Sequence, residues 1–168
     1  MITDRIVDIA KSYIGFTEKP NNSGFTNASF EKRMKEVGWS KSLSWCSFFC
    51  ELVWKEAYEN KDIVSQLDKL FSGSATTTFK NFDLSKDWKV SDVPKPGALV
   101  VWRHGNGWQG HIGIVENVEG EVFMTIEGNT NDKGGREGYI VARKRRLRRF
   151  TFQQDGLNLL GFIYPKEG

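Results

Sequence analysis

At 168 residues the chain is long enough for one domain with a substantial core and too short for two. With 39% hydrophobic and 27% charged residues it is neither disordered nor fibrous, and no apolar run approaches membrane-spanning length. The net charge of +3 is small, yet Arg143-Lys144-Arg145-Arg146-Leu147-Arg148-Arg149 concentrates six basic residues in one stretch.

The N-terminus, Met1-Ile2-Thr3-Asp4-Arg5-Ile6, lacks the hydrophobic block of a signal peptide, so a role outside a cytoplasm implies release or export by another route. Ile6, Val7, Ile9, Ala10, Tyr13 and Ile14 recur at helical spacing, with Thr3 as N-cap and Gly15 as stop. Residues 16–28, rich in Asn, Gly and Pro, read as a loop, and Ala28 to Val37 as a short helix carrying Phe30, Met34 and Val37 on one side. A turn-prone run from Gly38 to Ser44 precedes the most apolar helix, which starts at Trp45-Cys46 and runs to about Tyr58 with Ser44 as its cap. Ile63–Phe71 and Ser74–Phe82 are weaker helices.

From Pro94-Lys95-Pro96-Gly97 onward the period becomes that of strands: 98–102, 111–116, 121–127, 139–145 and 160–164. Helices first and an antiparallel meander afterwards make an α+β layout, with N-terminal helices packed on the sheet.

Cys46 falls in the first turn of the central helix, where the helix dipole favours an anion and activates a thiol. Cys50, one turn on, is poorly placed for a disulfide with it and reads as core packing, so both are free thiols. Two histidines are present. His111 opens a strand, whereas His104 lies in a polar loop where contact with a substrate is the functional reading. On the second strand His111, Gly113 and Val115 share a face; on the third, Phe123, Thr125 and Glu127 do. A hairpin about Glu119-Gly120 brings His111 beside Glu127. This permits a cysteine nucleophile, a histidine base and a third group that orients the imidazole. Alternation puts Asn129 on the same side as Glu127, so either can take the third role.

Trp45-Cys46-Ser47-Phe48-Phe49, Pro96-Gly97-Ala98-Leu99-Val100-Val101-Trp102, Gly110-His111-Ile112-Gly113-Ile114-Val115 and Ile126-Glu127-Gly128-Asn129 resemble, in order and spacing, the CHAP family. These are cysteine, histidine-dependent amidohydrolases/peptidases of papain-like fold that cut bacterial peptidoglycan. The resemblance runs from about Ile6 to Pro165, within one catalytic domain spanning 1–168. Ile14-Gly15 to Asn22, Gly73-Ser74-Ala75 and Leu160-Gly161-Phe162-Ile163-Tyr164-Pro165 are similar to a phage-associated branch.

The resemblance implies Cys46 as nucleophile, His111 as base, Glu127 as orienting group and Asn129 as polar auxiliary. In some relatives an Asn is the better match for the third member. Two departures stand out: Lys41-Ser42-Leu43-Ser44 lacks the acidic calcium ligands that several CHAP domains carry ahead of the cysteine, and no wall-binding domain follows the last strand.

Trp45 and Trp108, which neighbour the nucleophile and base, and Trp102 are candidates to stack on glycan or flank a stem peptide, while Trp39, Trp54 and Trp88 read as structural. The basic run Arg143–Arg149 alternates as a solvated strand edge would; its functional reading is attraction to anionic wall polymers. It lacks the interleaved aromatics of a nucleic-acid site. Neither a metal nor a cofactor is expected, nor a membrane partner, and the chain reads as a monomer. The function that follows is a peptidoglycan amidase or endopeptidase, of phage-lysin type. An amide acyltransferase and a catalytically idle wall-binding or phage structural module are the alternatives.

Overall fold

The computed structural model describes residues 1–130 and 138–168. Its helices are α1 (Ile2–Ser12), α2 (Ala28–Glu36), α3 (Cys46–Ala57), α4 (Lys61–Leu70) and α5 (Ala75–Leu84), with a 3-10 turn at Pro20–Asn22. The strands are β1 (Val90–Ser91), β2 (Leu99–His104), β3 (Gly110–Glu119), β4 (Val122–Thr130), β5 (Ile140–Leu147) and β6 (Leu157–Ile163). All pairings are antiparallel, in the order β1-β6-β2-β3-β4-β5. Strands β2 to β5 form the expected meander. β6 then returns to the far side of β2, where it carries the two-residue β1 that periodicity had not revealed. The layout is α+β, helices before strands, as the sequence implies.

Local chemistry explains most helix starts. The Asn27 side chain accepts from the Phe30 amide at 2.9 Å, Asn60 from those of Asp62 and Ile63, and Ser74 from that of Thr77 at 3.2 Å. Two cap assignments are corrected. α1 begins at Ile2, ahead of Thr3, and α3 has Trp45 at its N-cap with no side-chain bond from Ser44. At α3 burial replaces the cap. The Trp45 ring is fully buried and meets Phe25 edge-on at 5.0 Å, with Phe30 and Phe49 beyond, so its packing fixes where the helix begins.

α3 is buried from Cys46 through Trp54 and is the axis of the larger core, which takes Leu99, Val101, Ile112, Ile114, Ile126, Val141 and Ile163 from one face of the sheet. The opposite face carries a second cluster around Val100, Trp102, Val115, Phe123 and Phe162. Trp54 and Trp88 stack at 5.8 Å inside the larger core, and Trp39 is buried beside Phe25. Among the described residues no helix is long and apolar enough to cross a membrane.

Candidate active site

The first turn of α3 presents the Cys46 thiol to the start of β3, close enough to the His111 imidazole to favour its charged form. His111 Nε2 lies 2.6 Å from Glu127 Oε1 on β4, which leaves Nδ1 for the sulfur. The three side chains that spacing brought together on paper are thus in contact.

The register differs from the simple hairpin. Ile114 pairs with Ile126 and Val115 with Thr125, and a bulge after Val115 absorbs one residue. Continuing that pairing sets Glu127 opposite Gly113, not His111. The carboxylate reaches the imidazole by leaning across Gly113, where a Cβ would lie 2.7 Å from Glu127 Cγ. Glycine at 113 is therefore a condition for the pair to form.

Glu127 is completely buried. Oε1 accepts from His111 Nε2 and from Arg146 Nη2 at 2.5 Å; Oε2 accepts from Thr125 Oγ1 at 2.5 Å and Arg146 Nε at 2.8 Å. Four donors fill the roughly four lone-pair positions of a carboxylate. Burial alone would push Glu127 up, but the His111 and Arg146 charges and their hydrogen bonds hold it well below the usual carboxylate range. Burial likewise pulls His111 down, yet Glu127 and the contact with Cys46 outweigh it, and the imidazole is pushed up to about 10. At neutral pH the pair is imidazolium and carboxylate. Burial, reinforced by Cys46 and Glu127, pushes the Cys50 thiol up, so Cys50 stays neutral in the core.

Trp102 is buried, its ring stacked on His111 at 5.9 Å and 22°. The Arg146 guanidinium also lies over the ring, 4.8 Å from its centroid. Trp102 therefore holds the histidine instead of offering an open groove surface. Trp45, also proposed for substrate, is core and unavailable to it. Trp108 is 78% exposed and, with His104, lines a cleft of about 270 Å³ that contains Cys46, Ser44, Gly73, Ser74, Ala75 and Leu157.

Asn129 lines a cavity other than the one that holds Cys46. Its backbone is left-handed, at φ 52°, within an irregularity of the β4–β5 pairing. It lines a second cavity, of about 550 Å³, with Pro20, Asn21, Ser44 and Tyr139. Left-handed backbone inverts the alternation that had put Asn129 with Glu127. Ser44 borders both cavities, so the polar hollow and the thiol cleft meet beside Cys46.

Sequence reading missed three supports. Ser47, next to the thiol, is buried and donates to the Ser72 carbonyl, and Thr78 Oγ1 bonds both Ser72 and Ser74. This knot fixes the Gly73–Ala75 wall of the cleft. Thr76 Oγ1 donates to the Trp108 carbonyl at 2.9 Å, tying α5 to the Trp108 loop. Arg146 had been read only as part of a basic edge. Of that run, Arg143 pairs with Glu116, Arg146 with Glu127 and Arg148 with Asp92 and Glu121, while Arg145 and Arg149 are exposed. Among the described residues no group of three or more His, Cys, Asp or Glu side chains is arranged to hold a metal ion.

No curated protein and no solved structure matches the chain. A family model, the CHAP domain, matches residues 37–129, more than half of the sequence and a span that includes Cys46, His111 and Glu127. With that match added to a thiol, an imidazole and a carboxylate in contact, the chain belongs to the CHAP family of cysteine/histidine-dependent amidohydrolases and peptidases.

Proposed function

We propose that the chain hydrolyses an amide bond in the stem peptide of peptidoglycan, as an amidase or endopeptidase, with Cys46 as nucleophile and His111 as base. The observation that carries this reading is the buried Cys46–His111–Glu127 contact opening into a cleft at the start of α3. The thiolate attacks the amide carbonyl, and the Cys46 amide, one of the first-turn N–H groups without an intrahelical partner, donates to the oxyanion. His111 gives its proton to the leaving amine. Water then adds to the thioester, His111 takes a proton from it, and the acid departs as the thiolate reforms. Glu127 orients the imidazole throughout and stabilises it whenever it carries the proton. Trp108 and His104, on the rim of the cleft, contact the substrate.

Cys46 stands in a cleft that peptide can enter, and exposed Arg145 and Arg149, lining a separate cavity beside Trp102, add positive charge suited to anionic wall polymers. The protein would meet its substrate after release or export, or as part of a phage particle. The test is digestion of purified sacculi, followed by turbidity and by mass spectrometry of the products. New amino termini would report the bond cut, and Cys46→Ala should release none while its circular dichroism is unchanged. Products from Cys46→Ala would refute the cysteine mechanism. An intact wall with the native protein would leave the idle-module alternative in its place.

A further inference from the structure

Beyond residue 129, where the family match ends, lies the residue that completes the charge balance of the site. The reacting state of a cysteine hydrolase of the kind proposed above puts two anions, the Cys46 thiolate and the Glu127 carboxylate, into a largely buried volume with one cation, the His111 imidazolium. A buried excess charge is costly unless a counter-charge is fixed beside it. The geometry points to Arg146 as that counter-charge: a positioning residue that clamps Glu127 through both oxygens, steadies Trp102 against His111, and makes the thiolate–imidazolium–carboxylate set electrically neutral.

Each part of this rests on a contact. The Arg146 fork spans the carboxylate, Nη2 to Oε1 at 2.5 Å and Nε to Oε2 at 2.8 Å, so Glu127 cannot rotate without breaking both bonds. The same guanidinium lies 4.8 Å from the Trp102 ring, whose other neighbour is the His111 imidazole. β5 brings Arg146 there by register: Phe123 pairs with Arg146 and Glu127 with Ala142, which sets these residues on one face of the sheet.

The other ionisable groups near the set do not replace it. Cys50, from α3, is a buried neutral thiol. His104, at the end of β2, lies on the cleft rim. Lys144 shares the Arg146 face of β5 and has an interaction of its own. Arg145 and Arg149 line the cavity beyond Trp102 with exposed side chains. Arg146 is ion-paired with Glu127 through both carboxylate oxygens.

The proposal rests on the cysteine-hydrolase reading, but its test need not use a wall. The rate of Cys46 alkylation by iodoacetamide, followed by mass spectrometry from pH 4 to 10, reports thiolate formation directly. Arg146→Met removes the charge and the fork; its alkylation profile should move about one unit toward higher pH, with roughly tenfold slower reaction on the acid side. Arg146→Lys keeps the charge and loses the bidentate geometry. Its profile should stay within about 0.3 units of the native one, while sacculus hydrolysis falls several-fold.

A native profile in a folded Arg146→Met protein would overturn the inference, as would equal shifts in both variants. If Arg146→Met does not fold, an Arg146→Lys profile displaced by a full unit would be just as damaging, because charge alone would then not suffice. Failure of the native protein to cut walls, with the alkylation shifts as stated, would count against the function proposed above and leave the role of Arg146 standing.

Discussion

The Glu127→Gln variant puts the electrostatic reading to its sharpest test, because it removes a charge while nearly preserving shape. In the native protein the imidazole is pushed from 6.5 to about 10, a rise equivalent to about 5 kcal/mol in favour of the imidazolium. Opposite unit charges about 4 Å apart at an effective dielectric near 20 attract by about 4 kcal/mol, so Glu127 supplies most of that rise. The sign follows from which proton leaves first. With Glu127 ionised, His111 keeps its proton up to about pH 10, so an imidazolium faces the Cys46 sulfur across neutral pH.

In the variant, burial pulls His111 down with only Cys46 left to oppose it, and Arg146, now without its carboxylate, repels the imidazolium further. His111 then loses its proton at lower pH, and the imidazolium that would balance a Cys46 thiolate is no longer held across neutral pH. The acid limb of the rate therefore moves upward and the alkaline limb falls. At pH 7 hydrolysis should drop by about 10²–10⁴, the usual worth of a general acid–base contribution. The assay is initial turbidity loss of sacculi at half-unit pH steps, paired with iodoacetamide alkylation and a thermal melt to establish folding. A folded Glu127→Gln protein with its acid limb unmoved and its rate within threefold of native would refute the reasoning. Asn129→Ala is the companion: it should leave both limbs in place, and a shift there instead would transfer the orienting role to Asn129.

His111→Ala should be nearly as inactive as Cys46→Ala, whereas His104→Ala, altering only the cleft rim, should change KM more than kcat; steady-state kinetics on a soluble muropeptide separates the two, and equal kcat losses would mean the base is misassigned. Gly113→Ala should cost at least tenfold in kcat, because the added Cβ falls 2.7 Å from Glu127 Cγ and pushes the carboxylate off the imidazole; overpacking adds about 1–3 kcal/mol of destabilisation in denaturant melts, and a native pH profile would contradict the contact. Glu51, whose carboxyl is pushed up to about 7 chiefly by burial, loses stability for the fold as pH rises from 4.5 to 7. Glu51→Gln should therefore raise Tm at pH 8 and leave it nearly unchanged at pH 4, and the reverse order of effects would show that its salt bridge with Lys55 dominates. Activity should survive EDTA undiminished, and restoration of lost activity by calcium or zinc would reveal a metal requirement.

Periodicity made most elements legible because each buries one recognisable stripe. α3 announced itself by being apolar on nearly every side, and β2 to β4 by alternation across short turns. What escaped was set by contacts distant in sequence. β1 is two residues long and exists because β6 returns beside β2. The start of α3 was assigned to a Ser44 cap because caps are local chemistry, whereas the structure fixes it through Trp45 packed on Phe25, a residue twenty positions earlier. Trp45 and Trp102 were offered to substrate because they flank Cys46 and precede His111. Both are enclosed, one in the core and one under Arg146, and adjacency in sequence carries no information about which side of the chain faces water. The basic run shows the same limit. Alternation gave it correctly as a strand, but its partners, Glu116, Glu127, Asp92 and Glu121, come from other segments.

The third member of the site was open between an acid and an amide so long as spacing was the only guide. Its surroundings decide the chemistry. A carboxylate at 127 meets four donors, from His111, Thr125 and two nitrogens of Arg146, and satisfies all of them because it only accepts. An amide there would turn its NH₂ group on at least one of those donors, leaving a buried N–H facing another N–H with the guanidinium charge uncompensated. Asn129, by contrast, occupies a left-handed backbone position beside a polar hollow, a place that suits a short amide side chain. The carboxylate that those donors hold ionised keeps His111 protonated through neutral pH, which sets a positive charge facing the Cys46 sulfur. Gly113 provides the room for that carboxylate and Arg146 the charge that holds it in place, so the imidazolium facing Cys46 depends on both.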